Sequence, residues 1–393
     1  MSSAMSPKPL ASEYVTVGRH SSDDLIIDDP ALTRLPGGGL LATWTQRFWT
    51  EGADINSNPN RFRLARSDDD GNTWRALPSL DICMGLPFVH QGSLYILGNE
   101  FGRESVIISK SDDEGEQWVP FVKLFRGRFW NAPTGYAIAR GHFYRAFGTI
   151  NDQAIFDDKV VVVAGDMTKD LLNPSSWRMS LPVEYPGTPD SLKAGMYPPG
   201  SHPSVRKQDH WLEPNVVDVR GSLRVLIRTR IDDYATSGIC GVCDLEDDGR
   251  NMSILFRQFH PMPGAQCKFY IVYDEMSDLF WTPVNLPTDP QNTTGWADNL
   301  LKWGIKGTPG NERRFLMLLY SLDSLNWFQA GCIAMSPSPR QSFHYVAPLI
   351  DGDDMLILSR TTVDGRNQHD SDALTFHRVP DFRSLAYNLN PGP

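Results

Sequence analysis

Four groups of residues in this chain have the types that could do chemistry. His210-Trp211-Leu212-Glu213-Pro214-Asn215 sets an imidazole and a carboxyl close together, a combination able to supply acid and base. Arg228 and Arg230 close one apolar run and Arg360 closes another. Two guanidinium forks brought side by side would clamp a carboxylate or another planar oxyanion bidentately. Lys268 to Tyr273 and the pair His344-Tyr345 add an amine, phenols and a second imidazole. Each group also has a blander reading. Arg228 or Arg360 could pair with a local acid such as Asp232 or Asp364, Glu213 could be a structural hydrogen-bond acceptor, and His344 could be a satisfied histidine of an aromatic stretch. Trp44, Trp49, Trp130 and Trp211 are candidates for the lining of an apolar pocket. Arg228, Arg360, His210, Tyr273 and Glu213 are therefore the catalytic candidates. Trp44, Trp130, Trp211, Lys268, His344 and Tyr345 are the substrate-binding ones.

Other chemistries find little footing. No histidine pair has metal-ligand spacing, and the adjacent His369 and Asp370 do not make a site alone. Gly37-Gly38-Gly39 follows a proline in a turn and opens no helix, so it is no phosphate loop. Cys240 and Cys243 have no second pair and lie in a strand-like run, which reads as two free thiols. The 393 residues carry a net charge of −10 without a Lys/Arg run, which argues against a nucleic-acid partner. No apolar run is long enough to span a bilayer and the amino terminus has no apolar leader segment, so a chain starting natively at Met1 is expected in the cytoplasm. The expected partner is a small-molecule substrate, with no cofactor and no membrane, and the protein a monomer or homodimer.

The elements that must position these groups are strands. Runs of five to eight residues, punctuated by Gly, Pro, Asn and Asp, repeat along the whole chain without a long helical period. Ser67-Asp68-Asp69-Asp70-Gly71-Asn72-Thr73-Trp74 matches the Asp-box pattern S-x-D-x-G-x-T-W at every defined position. Its physics is that of a hairpin turn. Asp69 accepts from the turn's own backbone, Gly71 supplies a positive φ, and Trp74 wedges between neighbouring sheets. Weaker copies are Ser111 to Trp118, with Asp113 and Gly115, and Ser321 to Trp327, with Asp323. Degenerate relatives run from Asp166 to Trp177 and from Tyr273 to Trp281, and one middle unit has no box.

Recurrence at roughly 40–50 residues indicates an all-β propeller built as a single domain over residues 1–393. The runs at Leu40–Trp44, Ser93–Leu97, His142–Ala146, Leu223–Arg228, Phe315–Leu319 and Met355–Ser359 read as equivalent strands. One more unit around Lys268 to Trp281 brings the count to seven blades, with six as the alternative. Ring closure is expected from a first strand near Tyr14 to Val17, paired with residues around Thr375 to Val379. Residues 1–11 are expected to be flexible, and the Pro-, Gly- and Ser-rich stretch 181–208 to form a long loop near the channel mouth.

Beyond the boxes, which are those of sialidase-like propellers, several segments resemble one family. They are Asp29-Pro30 through Gly38, Phe88 to Tyr95, Ala132-Pro133, Trp211 to Val217, and Pro263-Gly264 to Lys268-Phe269. Together they are similar to the propellers that include L-rhamnose-α-1,4-D-glucuronate lyases and exo-α-L-rhamnosidases. That resemblance implies arginines such as Arg228 and Arg360 neutralising a uronate carboxylate, with a His or Tyr as base and acid. Two positions depart from it, since Trp44 and Trp130 stand where histidines are expected. With the missing leader, those departures point to a relative moved to an apolar intracellular substrate, similar to the hetero-Diels–Alderases of fungal tropolone sesquiterpenoid assembly. The expectation placed first is such a cyclase, joining a tropolone quinone methide to a terpene polyene. Next come a lyase or glycosidase of rhamnosyl-α-1,4-glucuronate, and a non-catalytic glycan-binding propeller.

Overall fold

The computed structural model describes residues 7–22, 24–48, 61–151, 158–189, 192, 209–231, 238–288, 312–336, 338–365 and 367–390. They form six antiparallel sheets that follow one another along the chain, the blades of a propeller. Blade 1 runs from Leu25–Arg34 out to Arg75–Leu80, and blade 2 from Ile82–His90 out to Val122–Phe125. In blade 3, Phe129–Trp130 and Ala137–Ala139 both pair with His142–Thr149. Blade 4 runs from His210–Val219 to Met252–Pro261, and blade 5 from Val272–Asp274 to Phe328–Met335. Blade 6 begins at Ser342–Asp351 and is completed by the amino-terminal strand Val15–Arg19, which pairs with Ala373–Val379 in the register Val15 to Phe376 and Arg19 to Ala373. The expected closure is thus present. Ahead of it, Leu10 and Ala11 donate backbone N–H groups to Cys332 and Ile333 of blade 5.

The six-bladed alternative holds, and the miscount has a physical cause. Lys268 to Trp281 and Phe315–Leu319 read as two units because residues 286–314 separate them. In the structure Val272–Asp274, Leu279–Asn285 and Phe315–Ser321 pair in succession within one sheet. Phe315–Leu319 is the third strand of its blade, whereas the other five runs are second strands. For the same reason Tyr273 to Trp281 is not an Asp-box turn, since it joins a first strand to a second.

Ser67, Ser111 and Ser321 open turns between third and fourth strands, and the hydrogen bonds explain the pattern. Ser67 Oγ donates to Asp69 and accepts from the Gly71 N–H at 2.8 Å, while Asp69 accepts from Thr73 N–H and Oγ at 2.8 and 2.7 Å. Ser111, Asp113 and Gly115 repeat the arrangement, as do Ser321 and Asp323. At the position of Gly71, whose φ is +90°, a Cβ would lie 2.3 Å from the Phe376 ring. Phe376 in turn packs edge-on against Trp74 at 5.5 Å, so the turn stitches blade 1 to blade 6.

Each blade-to-blade seam holds its own apolar cluster, from Leu41, Phe62 and Ile96 between blades 1 and 2 to Ile27, Leu356 and Phe376 between blades 6 and 1. Burying each such side chain contributes about 1.5–3 kcal/mol, so the ring is held at every seam alike. Trp44, Trp211, Trp118 and Trp327 belong to these seams. Among the described residues no helix is long and apolar enough to cross a membrane.

Candidate functional site

The inner strands of four blades carry a bulge at the same level. The register skips between Asp28 and Ala31, between Cys83 and Leu86, between Trp211 and Pro214, and between His344 and Ala347. In each case two residues oppose one, which bends the strand and re-aims a side chain. The residues so released are Asp29, Met84, Leu212 with Glu213, and Tyr345, and all of them line one cavity. Asp29, Met84 and Tyr345 hold positive φ angles of 51°, 55° and 48°, a conformation that non-glycine residues keep only where surrounding structure enforces it.

That cavity occupies about 360 Å³ and draws on every blade, with Asp28, Arg47, Arg103, Trp130, Arg228, Arg313, Arg360 and His369 among its walls. At its centre the Tyr345 hydroxyl donates to Glu213 Oε1 at 3.0 Å. Arg228 Nη1 donates to both Glu213 oxygens at 3.1 and 2.8 Å and to the Tyr345 oxygen at 3.3 Å. Arg228 Nε is fixed on the Gln266 carbonyl at 2.8 Å. Burial pushes Glu213 up, but the Arg228 guanidinium outweighs it and holds the carboxyl below its ordinary range. Burial, then the Glu213 charge, pushes the Tyr345 phenol up to about 12. Two guanidinium groups and an amine surround that ring, with Arg360, Arg313 and Lys268 at 5.0, 5.8 and 5.9 Å from its centre, the Lys268 amine being lowered to about 7 by burial. A phenol with its proton on a carboxylate and cations about its ring is equipped to act as a nucleophile, because a departing proton has an acceptor and the developing charge has partners.

The second acidic group is Asp28, which takes Arg360 and Arg47 together. Burial would raise it, yet those two guanidinium groups hold it at about 2. Six arginines line the cavity against three carboxylates, so the site is positive and suited to an anionic ligand. Arg103 faces Trp130 at 5.9 Å and makes no side-chain hydrogen bond or ion pair with any described residue. The cavity also has an apolar wall, where Met84, Trp130 and Leu212 pack with Cys83 and Ile150.

Of the candidates read from sequence, Arg228, Arg360, His210, Glu213, Trp130 and Tyr345 meet at this cavity. Arg228 pairs with Glu213 and Arg360 with Asp28, so each is held by an acid, as the blander reading has it, though by a different one, since Asp364 pairs with Arg19. Lys268 and His344 lie behind Tyr345. The amine donates to the Val346 carbonyl at 3.0 Å, and the imidazole, held well below its ordinary range by burial and Arg360, bonds Ser371 at 2.9 Å. Tyr273 is elsewhere, at the opposite end of the channel, 44 % exposed and donating to Asp278 at 2.6 Å. Trp44 and Trp211 are seam residues, against Gly18 and against Gly241 and Tyr185 respectively. Trp49, Asp232 and most of 181–208 lie outside the described residues.

Sequence reasoning missed Asp28, Asp29, Arg47, Met84, Arg103 and Arg313 as site residues. A signal existed for one of them in the acid–proline pairs. Asp29-Pro30 and Glu213-Pro214 both place a proline within a first strand, which is tolerated at a bulge. Among the described residues no cluster of His, Cys, Asp and Glu could hold a metal ion. Cys240 and Cys243 are buried free thiols, both pushed up to about 12 by burial.

No family model matches the chain, and no curated protein matches it. Solved structures do. A Hadza microbial sialidase is 16 % identical with a TM-score of 0.57, over 93 % of this chain and 68 % of its own. The Trypanosoma rangeli sialidase in complex with sialic acid is 13 % identical with a TM-score of 0.56, over 96 % of this chain and 58 % of its own. The GH93 α-L-arabinofuranosidase of Fusarium graminearum with arabinobiose is 12 % identical with a TM-score of 0.53, over 94 % and 98 %. At these identities the likeness is one of fold, a sialidase-like propeller.

Proposed function

We propose that this propeller cleaves a glycosidic bond in a carboxylate-bearing sugar chain, with Tyr345 as nucleophile and Glu213 as the base that takes its proton. The observation that carries the reading is the 3.0 Å hydrogen bond from the Tyr345 hydroxyl to a Glu213 carboxylate, fixed by Arg228 in a buried, positive cavity. The oxygen of Tyr345 bonds to the anomeric carbon as the leaving oxygen departs, and water then releases the sugar. Arg103, which makes no side-chain hydrogen bond or ion pair with another described residue, is a group available to a substrate carboxylate. The sialidase and arabinofuranosidase neighbours support the glycosidase class through fold alone. Rhamnosyl-α-1,4-glucuronate is the concrete substrate to test first. Mass spectrometry of an incubation should find free rhamnose and glucuronate with wild type and neither with Tyr345→Phe. Binding without turnover would favour a glycan-recognition role, and an unsaturated uronate a lyase.

The apolar wall of Met84, Trp130 and Leu212 favours one second reading, the hetero-Diels–Alderase-like cyclase. There the wall would hold a polyene, and the acid–base groups would dehydrate a hydroxymethyl tropolone beside it. A cycloadduct formed from those two compounds, with the disaccharide left intact, would support it over hydrolysis.

A further inference from the structure

The first strands of blades 1, 4 and 6 reach the Tyr345 cavity with one end and a second cavity, of about 520 Å³, with the other. Leu32, Val216 and Leu349 line it from these strands, and Tyr136, Tyr270 and Tyr273 stand beside them from blades 3 and 5. A concave, mostly apolar space of this size falls within the range of roughly 300–1,000 Å³ that small-molecule sites occupy. Two of its phenols are unsatisfied. Tyr270 is 5 % exposed, and neither its hydroxyl nor that of Tyr136 has a hydrogen-bond partner among the described residues. Burial pushes both phenols up, and Tyr136 adds to the rise at Tyr270, so the two stand near each other and keep their protons at neutral pH. The charges at this mouth are taken up by their neighbours. Arg220 meets Asp278 at 3.3 Å, Asp278 accepts from the Tyr273 hydroxyl at 2.6 Å, and Asp218 accepts from the Gly221 N–H at 2.7 Å. Glu275, the remaining charge of the lining, is exposed to water and screened there.

We propose that this far-mouth cavity is a second binding site, for an uncharged polycyclic molecule whose hydroxyl or carbonyl oxygen is recognised by Tyr136 and Tyr270. A buried hydroxyl without a partner is costly, and a ligand oxygen that pairs with it removes the cost. A phenol both donates and accepts, so the pair suits a hydroxyl, and a carbonyl can take the donors alone. The rings of the ligand meet aromatic and aliphatic faces. Tyr136 is already stacked on Phe143 at 4.9 Å and Tyr273 is packed on Phe280 at 5.1 Å, so these faces are held in place before anything binds. The contrast with the other cavity is one of charge, since six arginines line that one. No residue lines both cavities. Lys268 stands between them, its amine 5.2 Å from the centre of the Tyr270 ring and 5.9 Å from that of Tyr345. The site is therefore independent of the reaction proposed for Tyr345.

The test titrates the full-length chain at pH 7 with 2-naphthol, naphthalene and 2-naphthoate, followed by calorimetry and by isoleucine-methyl ¹³C NMR. Ile138 and Ile350 line the far-mouth cavity, whereas Ile150 packs with the apolar wall of the Tyr345 cavity, so their methyl signals tell the two sites apart. 2-Naphthol should saturate one site, move the Ile138 and Ile350 signals and leave Ile150 in place. Naphthalene, lacking the oxygen, should bind about 3–10-fold more weakly, and 2-naphthoate more weakly still. Tyr136→Phe and Tyr270→Phe should each weaken 2-naphthol by about 3–10-fold while leaving naphthalene within about twofold. No saturable binding of 2-naphthol, or a shift confined to Ile150, would overturn the proposal, and both are read on wild type without a variant. 2-Naphthoate binding as tightly as 2-naphthol would overturn the uncharged class, and phenylalanine variants that bind 2-naphthol like wild type would overturn the role of the phenols. If 2-naphthol instead dissociates a dimer in sedimentation velocity, a second copy of the chain is the occupant and the small-molecule assignment falls.

Discussion

Replacing Arg228 by methionine should convert Glu213 from a stabilising anion into a destabilising one. Both side chains are nearly sealed, Glu213 at 2 % and Arg228 at 3 % exposure, and the pair meets at 2.8 Å. Removing the guanidinium leaves burial as the dominant influence on the carboxyl, whose folded-state pKa then rises above its unfolded value. Breaking a buried pair from one side costs about 3–5 kcal/mol. The sign of the pH dependence should also reverse. In wild type the depressed Glu213 stabilises above the unfolded carboxyl range, and that contribution is lost as pH falls through the folded value. In Arg228→Met the raised carboxyl costs stability above the unfolded range, and the penalty is relieved as pH falls and the group protonates. Urea unfolding of both proteins at pH 4.5 and pH 7.5, followed by tryptophan fluorescence, measures the difference, and adding Glu213→Gln to Arg228→Met should recover most of it. An Arg228→Met protein within about 1 kcal/mol of wild type at both pH values would refute this account of the pair, since an intact buried ion pair cannot be halved so cheaply.

Gly71→Ala places a methyl group against the Phe376 ring at a φ of +90°, so it should destabilise by about 1–3 kcal/mol in urea unfolding, whereas Gly92→Ala, also at positive φ but with open space, should cost less. Deleting residues through Arg19 removes the strand that caps Ala373–Val379, and light scattering should then report self-association through the opened edge. Tyr273→Phe should leave activity within about twofold of wild type, because the residue lies at the far mouth and a single exposed hydrogen bond is worth roughly 1 kcal/mol.

How much could be read in advance follows the range of the interactions. The Asp boxes are legible because Ser67, Asp69, Gly71 and Thr73 satisfy one another within a single turn. The closing strand is legible because a propeller that leaves its ends unpaired exposes two edges. The blade count erred where an insertion, 286–314, splits a sheet and makes a third strand resemble a second. The tryptophans misled for a related reason: apolar aromatics serve a seam as well as a pocket, and of the three among the described residues Trp130 lines the cavity while Trp44 and Trp211 pack in seams. Arg228 and Arg360 were recognisable as strand-end arginines, but their partners were not. Tyr345 meets Glu213 across 132 positions of sequence, and Arg360 meets Asp28 across 332. The bulges that bring those groups to one level leave only the faint trace of an acid followed by proline.

Whether Tyr345 bonds covalently to the sugar is decided by peptide mass spectrometry of wild-type protein quenched during turnover of 4-nitrophenyl α-L-rhamnoside. One added deoxyhexosyl residue is expected on the Tyr345 peptide, absent from Tyr345→Phe. Steady turnover with an unmodified Tyr345 peptide, or activity retained in Tyr345→Phe, would contradict it.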